Sequence, residues 1–394
     1  MNYDKIKRTG ILFLLGIGAI TSLSCNDNDN GNYPERVPTR LSVMPLPERV
    51  DYKESVVSLP QNVTVSQNIP ASTSQLLKST LEEKLSLSVS DASNDRAFIR
   101  VKQESDLAKE AYRLTVTKEG ACVYYSTETG LLWGIQTLRQ ALEQANFFTS
   151  GSAKYLPMVD IKDAPKYDWR GFHIDVVRHM FTLDYLKKVI DCLSFYKINK
   201  LHLHLTDDQG WRIEVKKYPL LTQEGSWRDF DEYDKRCVEL SQQDYNYEID
   251  PRFVRNGSQY GGHYTQEEMK GLVSYALERG IDIVPEIDMP GHFSAAIKVY
   301  PELSCTGEAG WGEEFSYPIC PSRPENYQFV QSIIDEMVEI FPSEYFHIGA
   351  DEVEKDNWEQ CEVCQRLMQQ EGYQKVDELQ NRFVKIMTNY VKGK

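Results

Sequence analysis

From about residue 161 onward, the chain alternates four times between a short apolar segment and a segment with helical spacing of apolar residues. The apolar segments that we interpret as buried strands are 172–177, 200–206, 281–288 and 345–349. Strands that alternate with helices predict parallel βα units. Four such units make an α/β fold that is half of a (β/α)8 TIM barrel, and an open doubly wound sheet is the structural alternative.

Clusters of polar residues follow each predicted strand. They occupy residues 175–179, 202–212, 286–292 and 347–352, and all seven histidines of the chain lie at or after residue 173. In (β/α)8 barrels the active site lies at the carboxyl ends of the strands. The sequence therefore predicts a pocket at this edge, rich in carboxylates and imidazoles.

The adjacent acids Asp351 and Glu352 are the clearest catalytic candidates. Cleavage of a glycosidic bond needs a carboxylic acid that protonates the leaving oxygen, and a group that stabilises positive charge on the sugar. Neighbouring residues on a regular strand point to opposite faces, so both acids share a pocket only if the strand ends at Gly349-Ala350. The alternative is a solvated pair of acids in a loop.

Taken together, the four clusters resemble those of glycoside hydrolase family 20, the β-N-acetylhexosaminidases, from about residue 45 to the last residue. Further matches lie at 134–138, 169–171 and 260–265. The resemblance implies retaining hydrolysis of terminal non-reducing N-acetyl-D-hexosamine residues, with the substrate's own acetamido group as nucleophile. It implies N-acetylhexosamine-containing glycans or oligosaccharides as partners, and no metal or organic cofactor.

The resemblance also implies a role for each matching residue. Glu352 is the general acid and then the base, and Asp351 orients the acetamido group and stabilises the oxazolinium intermediate. Arg178 holds sugar hydroxyls, while Asp207 and His292 are linked to the acid by hydrogen bonds. We expect burial and the nearby Asp351 to raise the pKa of Glu352, so that it is protonated near neutral pH.

Other interpretations of these motifs stay open. Arg178 has Asp175 within reach as a structural ion-pair partner. His202 and His204 point to one side of their strand and could be metal ligands, as in metal-dependent amidohydrolase barrels, although packed, hydrogen-bonded histidines are favoured. Trp211 is either a wall of the sugar subsite or an anchor for its loop.

Two further functions compete with the substrate-assisted hydrolase. Glu286 could act as a protein nucleophile in a conventional retaining hydrolase, which would cleave substrates that lack the acetamido group, although Glu286 and Asp288 are better explained as acids that support His292. The second alternative is an inactive, truncated glycan-binding lipoprotein.

The resemblance implies four more barrel strands than this chain holds, together with tryptophans, a tyrosine and an acid; Trp358 is not assigned to such a role. We therefore expect the natural protein to continue beyond Lys394.

The first residues have the pattern of an export signal. Basic residues precede an apolar run at 11–20, and small residues follow up to Cys25. We predict a signal peptide at 1–24, a lipid-modified Cys25 and a flexible tether at 25–40, which would make the protein a periplasmic, outer-membrane or cell-surface lipoprotein. Ordinary secretion with an unmodified Cys25 is the alternative. The net charge of −15 argues against nucleic acid as a partner.

Residues 41–160 are predicted to form a small α/β domain with helices on one side of an antiparallel sheet, and residues 161–394 the first half of the barrel. Strands are expected at 98–101 and 112–117, and helices at 76–85 and 129–144.

The cysteines allow several interpretations. Cys305 and Cys320 flank a Gly-containing loop that a disulfide between them would close. Cys361 and Cys364 form a CxxC motif, but the sequence contains no second CxxC and no nearby histidine pair. A local disulfide or two free thiols is therefore favoured over a metal site.

Overall fold

The computed structural model describes residues 40–307 and 315–394. The predicted signal peptide, Cys25 and nearly all of the predicted tether lie outside these ranges. Two large hydrophobic cores are present, one formed by residues from 57 to 161 and the other by residues from 176 to 387. Among the described residues, the helices are too short or too polar to cross a membrane.

The first core lies beneath a mixed sheet. Its strands are β1 (Arg49–Ser58), β2 (Asn62–Ser66), β3 (Ser88–Ala92), β4 (Ile99–Gln103), β5 (Tyr112–Thr117), β6 (Gly120–Tyr125), β7 (Thr149–Ser150) and β8 (Ala153–Asp163). Their order is β1-β8-β5-β6-β4-β2-β3, with β7 beside β8. The neighbours in the row β1-β8-β5-β6 are antiparallel, as predicted, whereas the neighbours in the row β6-β4-β2-β3 are parallel. The parallel half arises because α1 (Ala71–Ser79) and a π-helical turn (Thr80–Lys84) return the chain from β2 to β3 in the same direction.

Helix α2 (Glu128–Gln144) covers this sheet. The side chain of Thr127 accepts a hydrogen bond from the backbone N–H of Gly130 and so caps the helix. Its buried apolar residues include Leu131, Ile135 and Leu138.

The second core surrounds three parallel strands, β9 (Gly171–Asp175), β10 (Lys200–His204) and β16 (Asp282–Glu286). The predicted fourth strand at 345–349 runs parallel beside β16 but forms only a single bridge, between His347 and Glu286. Its regular pairing ends early because Gly349 and Ala350 adopt positive φ angles. The spatial order follows the chain order, as in a barrel, whereas a doubly wound sheet reverses its order.

The remaining elements surround these strands or follow them. The short strands are β11 (Thr206–Asp207), β12 (Gly210–Trp211), β13 (Trp227–Asp229), β14 (Val254–Arg255) and β15 (Gln259–Gly261). The helices are α3 (Leu183–Phe195), α4 (Leu220–Gln223), α5 (Glu232–Ser241), α6 (Gln266–Leu277), α7 (Ser294–Ile297), α8 (Pro324–Val338), α9 (Asp356–Gln360), α10 (Glu362–Glu371) and α11 (Asp377–Lys392).

Two buried residues hold the long excursion after β10 in place. The Arg212 side chain is fully buried and donates to the backbone oxygens of Ser226 at 2.5 Å and Val177 at 2.6 Å. Trp211 is 1% exposed and meets Phe293 edge to face. Of the two predicted roles for Trp211, its burial fits the loop anchor.

The two cores meet at a buried ion pair. Lys197, which follows α3, lies 3.1 Å from Asp163 at the end of β8 and donates to the Tyr112 hydroxyl at 2.8 Å. Gln136 of α2 donates to Ser194 of α3 at 2.8 Å. The sheet domain and the strands of the second core are therefore joined by polar contacts that are shielded from water.

Candidate active site

The carboxyl ends of the parallel strands bring the predicted polar clusters together. Arg178 donates to Asp175 at 3.0 Å, the ion-pair partner that the sequence suggested, and lies 2.7 Å from Asp207, a second partner that the sequence did not suggest. Its side chain is 40% exposed, whereas that of Asp207 is 1% exposed. One side of the guanidinium is thus fixed by carboxylates, and the other side can reach solvent or a ligand.

Asp207 connects two histidines. Its Oδ2 lies 2.7 Å from Nε2 of His204, and its Oδ1 lies 3.1 Å from Nδ1 of His292. Burial raises the pKa of Asp207, but hydrogen bonds from the two histidines and the charge of Arg178 outweigh it and lower the pKa well below its usual range. Asp207 is therefore a permanent anion at the centre of the cluster.

His292 is the cation that pairs with Asp207. Burial lowers its pKa, but hydrogen bonds to Asp207 and Asp208 and their charges outweigh the burial and raise the pKa to about 11. Its Nδ1 is held by both aspartates, and Phe315 meets its ring edge to face at 5.2 Å. His292 is accordingly a cation at neutral pH, with Nε2 directed at Glu352.

Asp351 and Glu352 lie on the same side of the chain. Nε2 of His292 is 3.5 Å from Oε2 of Glu352, and the polar atoms of His292, Asp351 and Glu352 lie within 4.8 Å of one another. The convergence is local in origin, because Gly349, Ala350 and Glu352 have φ angles of 63°, 77° and 46° and interrupt the alternation of a strand. Such angles cost non-glycine residues about 1–3 kcal/mol each and are typical of functional sites.

The burial expected at Glu352 is not observed. Its side chain is 60% exposed, and Asp351 is exposed as well. The described residues provide the His292 side of the pocket but leave the outer side of the carboxylates open. The burial of Glu352 that the sequence analysis expected is therefore absent among the described residues.

Glu286 accepts hydrogen bonds from three imidazoles. Its oxygens lie 2.8 Å from His202, 2.7 Å from His204 and 2.9 Å from His347. Burial raises the pKa of Glu286, but the hydrogen bonds from the histidines outweigh it and hold the pKa far below its ordinary value. His202 and His204 are thus packed and hydrogen-bonded, as the sequence analysis favoured.

Asp288 is buried beneath the turn at residues 349–352. It is 2% exposed, and its Oδ1 accepts a hydrogen bond from the backbone N–H of Ala350 at 3.0 Å. Burial raises the pKa of Asp288 to about 7. It thus supports the backbone next to Asp351 more directly than it supports His292, the partner that the sequence analysis gave it.

Sequence reasoning missed the importance of Asp208 and Ser316. Asp208 accepts hydrogen bonds from Ser294 and from the backbone N–H of Ser316 at 2.8 Å, in addition to its contact with His292. The Ser316 hydroxyl accepts a hydrogen bond from the backbone N–H of His292 at 3.3 Å. The adjacency of Asp208 to Asp207 was the only signal for the first, and no motif marks the second.

Paired carboxylates lie beside a charged histidine at the strand ends of a barrel-like sheet, and a separate sheet domain precedes them. The family model described as the catalytic domain of glycosyl hydrolase family 20 matches residues 167–394, and that for domain 2 of the same family matches residues 40–164. The chain belongs to glycosyl hydrolase family 20.

Similar proteins agree with this assignment. A β-hexosaminidase of Porphyromonas gingivalis is 38% identical over 75% of this chain and 36% of its own length, and one of Vibrio furnissii is 35% identical over 75% and 46%. The chain therefore spans between a third and a half of these curated relatives.

Solved structures show the same fold. An exo-β-N-acetylglucosaminidase of Vibrio harveyi, solved with N-acetylglucosamine, has a TM-score of 0.75 at 30% identity, covering 91% of this chain and 55% of that one. A β-N-acetylhexosaminidase of Bacteroides fragilis has a TM-score of 0.72 at 32% identity, covering 89% and 64%. The fold predicted from sequence, a small sheet domain before a partial barrel, is confirmed.

Proposed function

We propose that this protein removes terminal N-acetyl-D-hexosamine residues from the non-reducing ends of β-linked glycans, with retention of configuration. The observation that carries the proposal is the left-handed turn at 349–352, which brings Asp351 and Glu352 together beside His292. Membership of the family and the N-acetylglucosamine complex of the Vibrio harveyi neighbour support the choice of sugar.

Glu352 is proposed as the general acid. Its carboxyl group gives a proton to the leaving oxygen and takes one from water in the second half of the reaction. The imidazolium of His292 lies 3.5 Å from Glu352, where it can donate to the carboxylate after the proton has been transferred. Asp207 and Asp208 hold the ring in the orientation that directs Nε2 at Glu352.

Asp351 and Arg178 are proposed to act on the sugar. A carboxylate at Asp351 accepts a hydrogen bond from the acetamido N–H and stabilises the positive charge of the oxazolinium ring that forms when the acetamido oxygen attacks C1. The exposed side of Arg178 donates to sugar hydroxyls, and Asp175 and Asp207 fix its opposite side.

The geometry disfavours a conventional mechanism with Glu286 as nucleophile. Its carboxylate is 6% exposed and its two oxygens are held by three imidazoles, so an attack on a sugar carbon would require these hydrogen bonds to break. An acetamido nucleophile from the substrate needs no such rearrangement.

The proposal is tested by the turnover of aryl β-N-acetylglucosaminides and of the matching β-glucosides, which lack the acetamido group. We expect cleavage of the former only, and a loss of about 10²–10⁴-fold in kcat for Glu352→Gln on a substrate with a poor leaving group. Glu354→Gln changes a neighbouring acid on the same segment and serves as the matched control, with near-normal kcat.

Three results would contradict the proposal. Comparable cleavage of β-glucosides would favour the conventional mechanism, and near-normal turnover by Glu352→Gln would remove the general acid. Binding of N-acetylglucosamine without any turnover by the unmodified protein would favour the glycan-binding alternative.

A further inference from the structure

Four cysteines lie together in a cluster outside the proposed active site. The Sγ atom of Cys364 is 3.8 Å from that of Cys305 and 3.7 Å from that of Cys320, and the sulfurs of these three and of Cys361 lie within 4.8 Å of one another. Cys305 is partly buried and the other three are buried. Cys305 and Cys320 thus form the second pair of thiols beside the CxxC motif, although they are not a CxxC motif themselves.

We propose that this four-cysteine cluster is a structural zinc site. Four sulfurs placed tetrahedrally at about 2.3 Å from a zinc ion are separated by about 3.8 Å. The distances from Cys364 to Cys305 and to Cys320 match this separation. A disulfide requires about 2.05 Å between two sulfurs, and Cys364 is equally close to two partners instead of being directed at one. Four thiolates in a tetrahedral arrangement are typical of zinc among the divalent ions.

Two of the four cysteines lie at the start of a helix. Cys361 is the N-cap residue of α10, and Cys364 lies in the first turn of this ten-residue helix. The partial positive charge of a helix N-terminus stabilises nearby anionic sulfur.

Buried hydrogen bonds fix the segments that carry the thiols. The Asn326 side chain, 2% exposed, donates to the backbone oxygens of Leu303 and Cys320, both at 2.8 Å. The Trp358 indole N–H donates to the backbone oxygen of Ile319 at 3.3 Å. Such supporting contacts orient metal ligands before the ion binds.

The hydrophobic core around the thiols is small. The cluster's own core contains seven buried residues: Cys320, Val353, Trp358, Cys361, Cys364, Met368 and Leu379. Three of the seven are thiols of the proposed site. Small cores of this kind are commonly completed by a metal or by disulfides.

A zinc ion at this site would stabilise the part of the proposed active site that carries Glu352. Ser316 connects the segment of His292 with the segment of Glu352. Its hydroxyl accepts a hydrogen bond from the backbone N–H of His292, its N–H donates to Asp208, and its carbonyl accepts from the backbone N–H of Glu354. Cys320 follows four residues later, and Val353, next to Glu352, packs in the same small core. Zinc would thereby hold the 316–320 segment against the turn that carries Glu352.

The test measures metal in the full chain, purified with a thiol reductant and Zn²⁺ and then freed of loose ions by gel filtration. We expect about one zinc per chain by mass spectrometry of the elements, and intense visible bands of tetrahedral cobalt thiolate after replacement by Co²⁺. A zinc content below about 0.1 per chain, or another metal at one equivalent, overturns the assignment. Disulfides among these four cysteines in the exported protein also overturn it.

The variants separate the site from the other thiols of the chain. The double variant Cys305→Ser, Cys361→Ser is expected to lose at least about tenfold in zinc content and to melt at a lower temperature. Cys192→Ser alters an exposed thiol outside the cluster and is expected to keep both values. If the double variant does not fold, the stoichiometry and cobalt spectrum of the unmodified chain still decide the question. Equal zinc content in both variants contradicts the proposal.

Discussion

Asp288 shows how a single buried side chain links stability to pH. It is 2% exposed, and burial raises its pKa to about 7 from 3.8. Between about pH 4 and pH 7 the folded chain therefore holds a proton at Asp288 that the unfolded chain has released. The stabilisation that this proton provides is complete below about pH 4 and is lost as pH rises to about 7, because an ionised buried carboxyl is unfavourable.

We predict that Asp288→Asn becomes progressively more stable, relative to the unmodified protein, from pH 4 to pH 8. The amide oxygen can still accept the N–H of Ala350 but cannot ionise, so the difference should approach about 4 kcal/mol at the upper end. Denaturant unfolding at several pH values measures it. Asp95→Asn, at an exposed site, is the control, and parallel pH curves for the Asp288 variant and the unmodified protein would disprove the expectation.

The turn at 349–352 is the structural element on which the proposed site depends. A Cβ atom at Gly349 would lie 1.8 Å from Oδ1 of Asp288, and the φ of 63° disfavours any residue with a side chain. Glycine at this position therefore allows the strand to end abruptly and lets Asp288 support the turn from below.

We predict that Gly349→Ala displaces this turn, lowers the melting temperature and reduces kcat, because Asp351 and Glu352 follow directly. Gly271→Ala is the matched control: Gly271 is exposed in α6, a Cβ there meets nothing within 4 Å, and alanine should stabilise the helix by up to about 1 kcal/mol. Thermal unfolding and turnover of both variants measure the effect. Equal melting temperatures would show that the turn tolerates a side chain.

At the level of elements, sequence patterns predicted what depends on local contacts. Helix α2, predicted at 129–144, begins one residue earlier, and β5 has the predicted bounds of 112–117. The parallel pairing of β2, β3 and β4 was not predicted, because it depends on which distant strands meet. The four-cysteine cluster was missed for the same reason: Cys361 follows Cys320 by 41 positions in the chain, and only the fold brings them together.

At the level of the whole molecule, the buried pair of Lys197 and Asp163 joins the two cores. Their side chains are 7% and 12% exposed. Removal of one partner from a buried pair leaves the other charge without compensation, which commonly costs about 3–5 kcal/mol.

We predict that Lys197→Met, which keeps the aliphatic stem, lowers the free energy of unfolding by about 3 kcal/mol and separates the unfolding of the two domains. Calorimetry and limited proteolysis near residues 164–168 detect both effects. Arg49→Met breaks an exposed pair with Asp51 and should change stability by about 0.5 kcal/mol or less. The same small change for both variants would mean that the buried pair does not couple the domains.

The carboxylate of Glu286 has a consequence for how this interior can vary among related sequences. One anion serves the rings of His202, His204 and His347, which come from two different segments, so an apolar substitute would leave three nitrogens without an acceptor at one stroke. A single substitution at Glu286 or at one of its histidines is therefore strongly destabilising, and a tolerated change must replace several of these residues together. Among related sequences we expect these four residues to vary together, whereas neighbouring apolar core residues can be substituted individually.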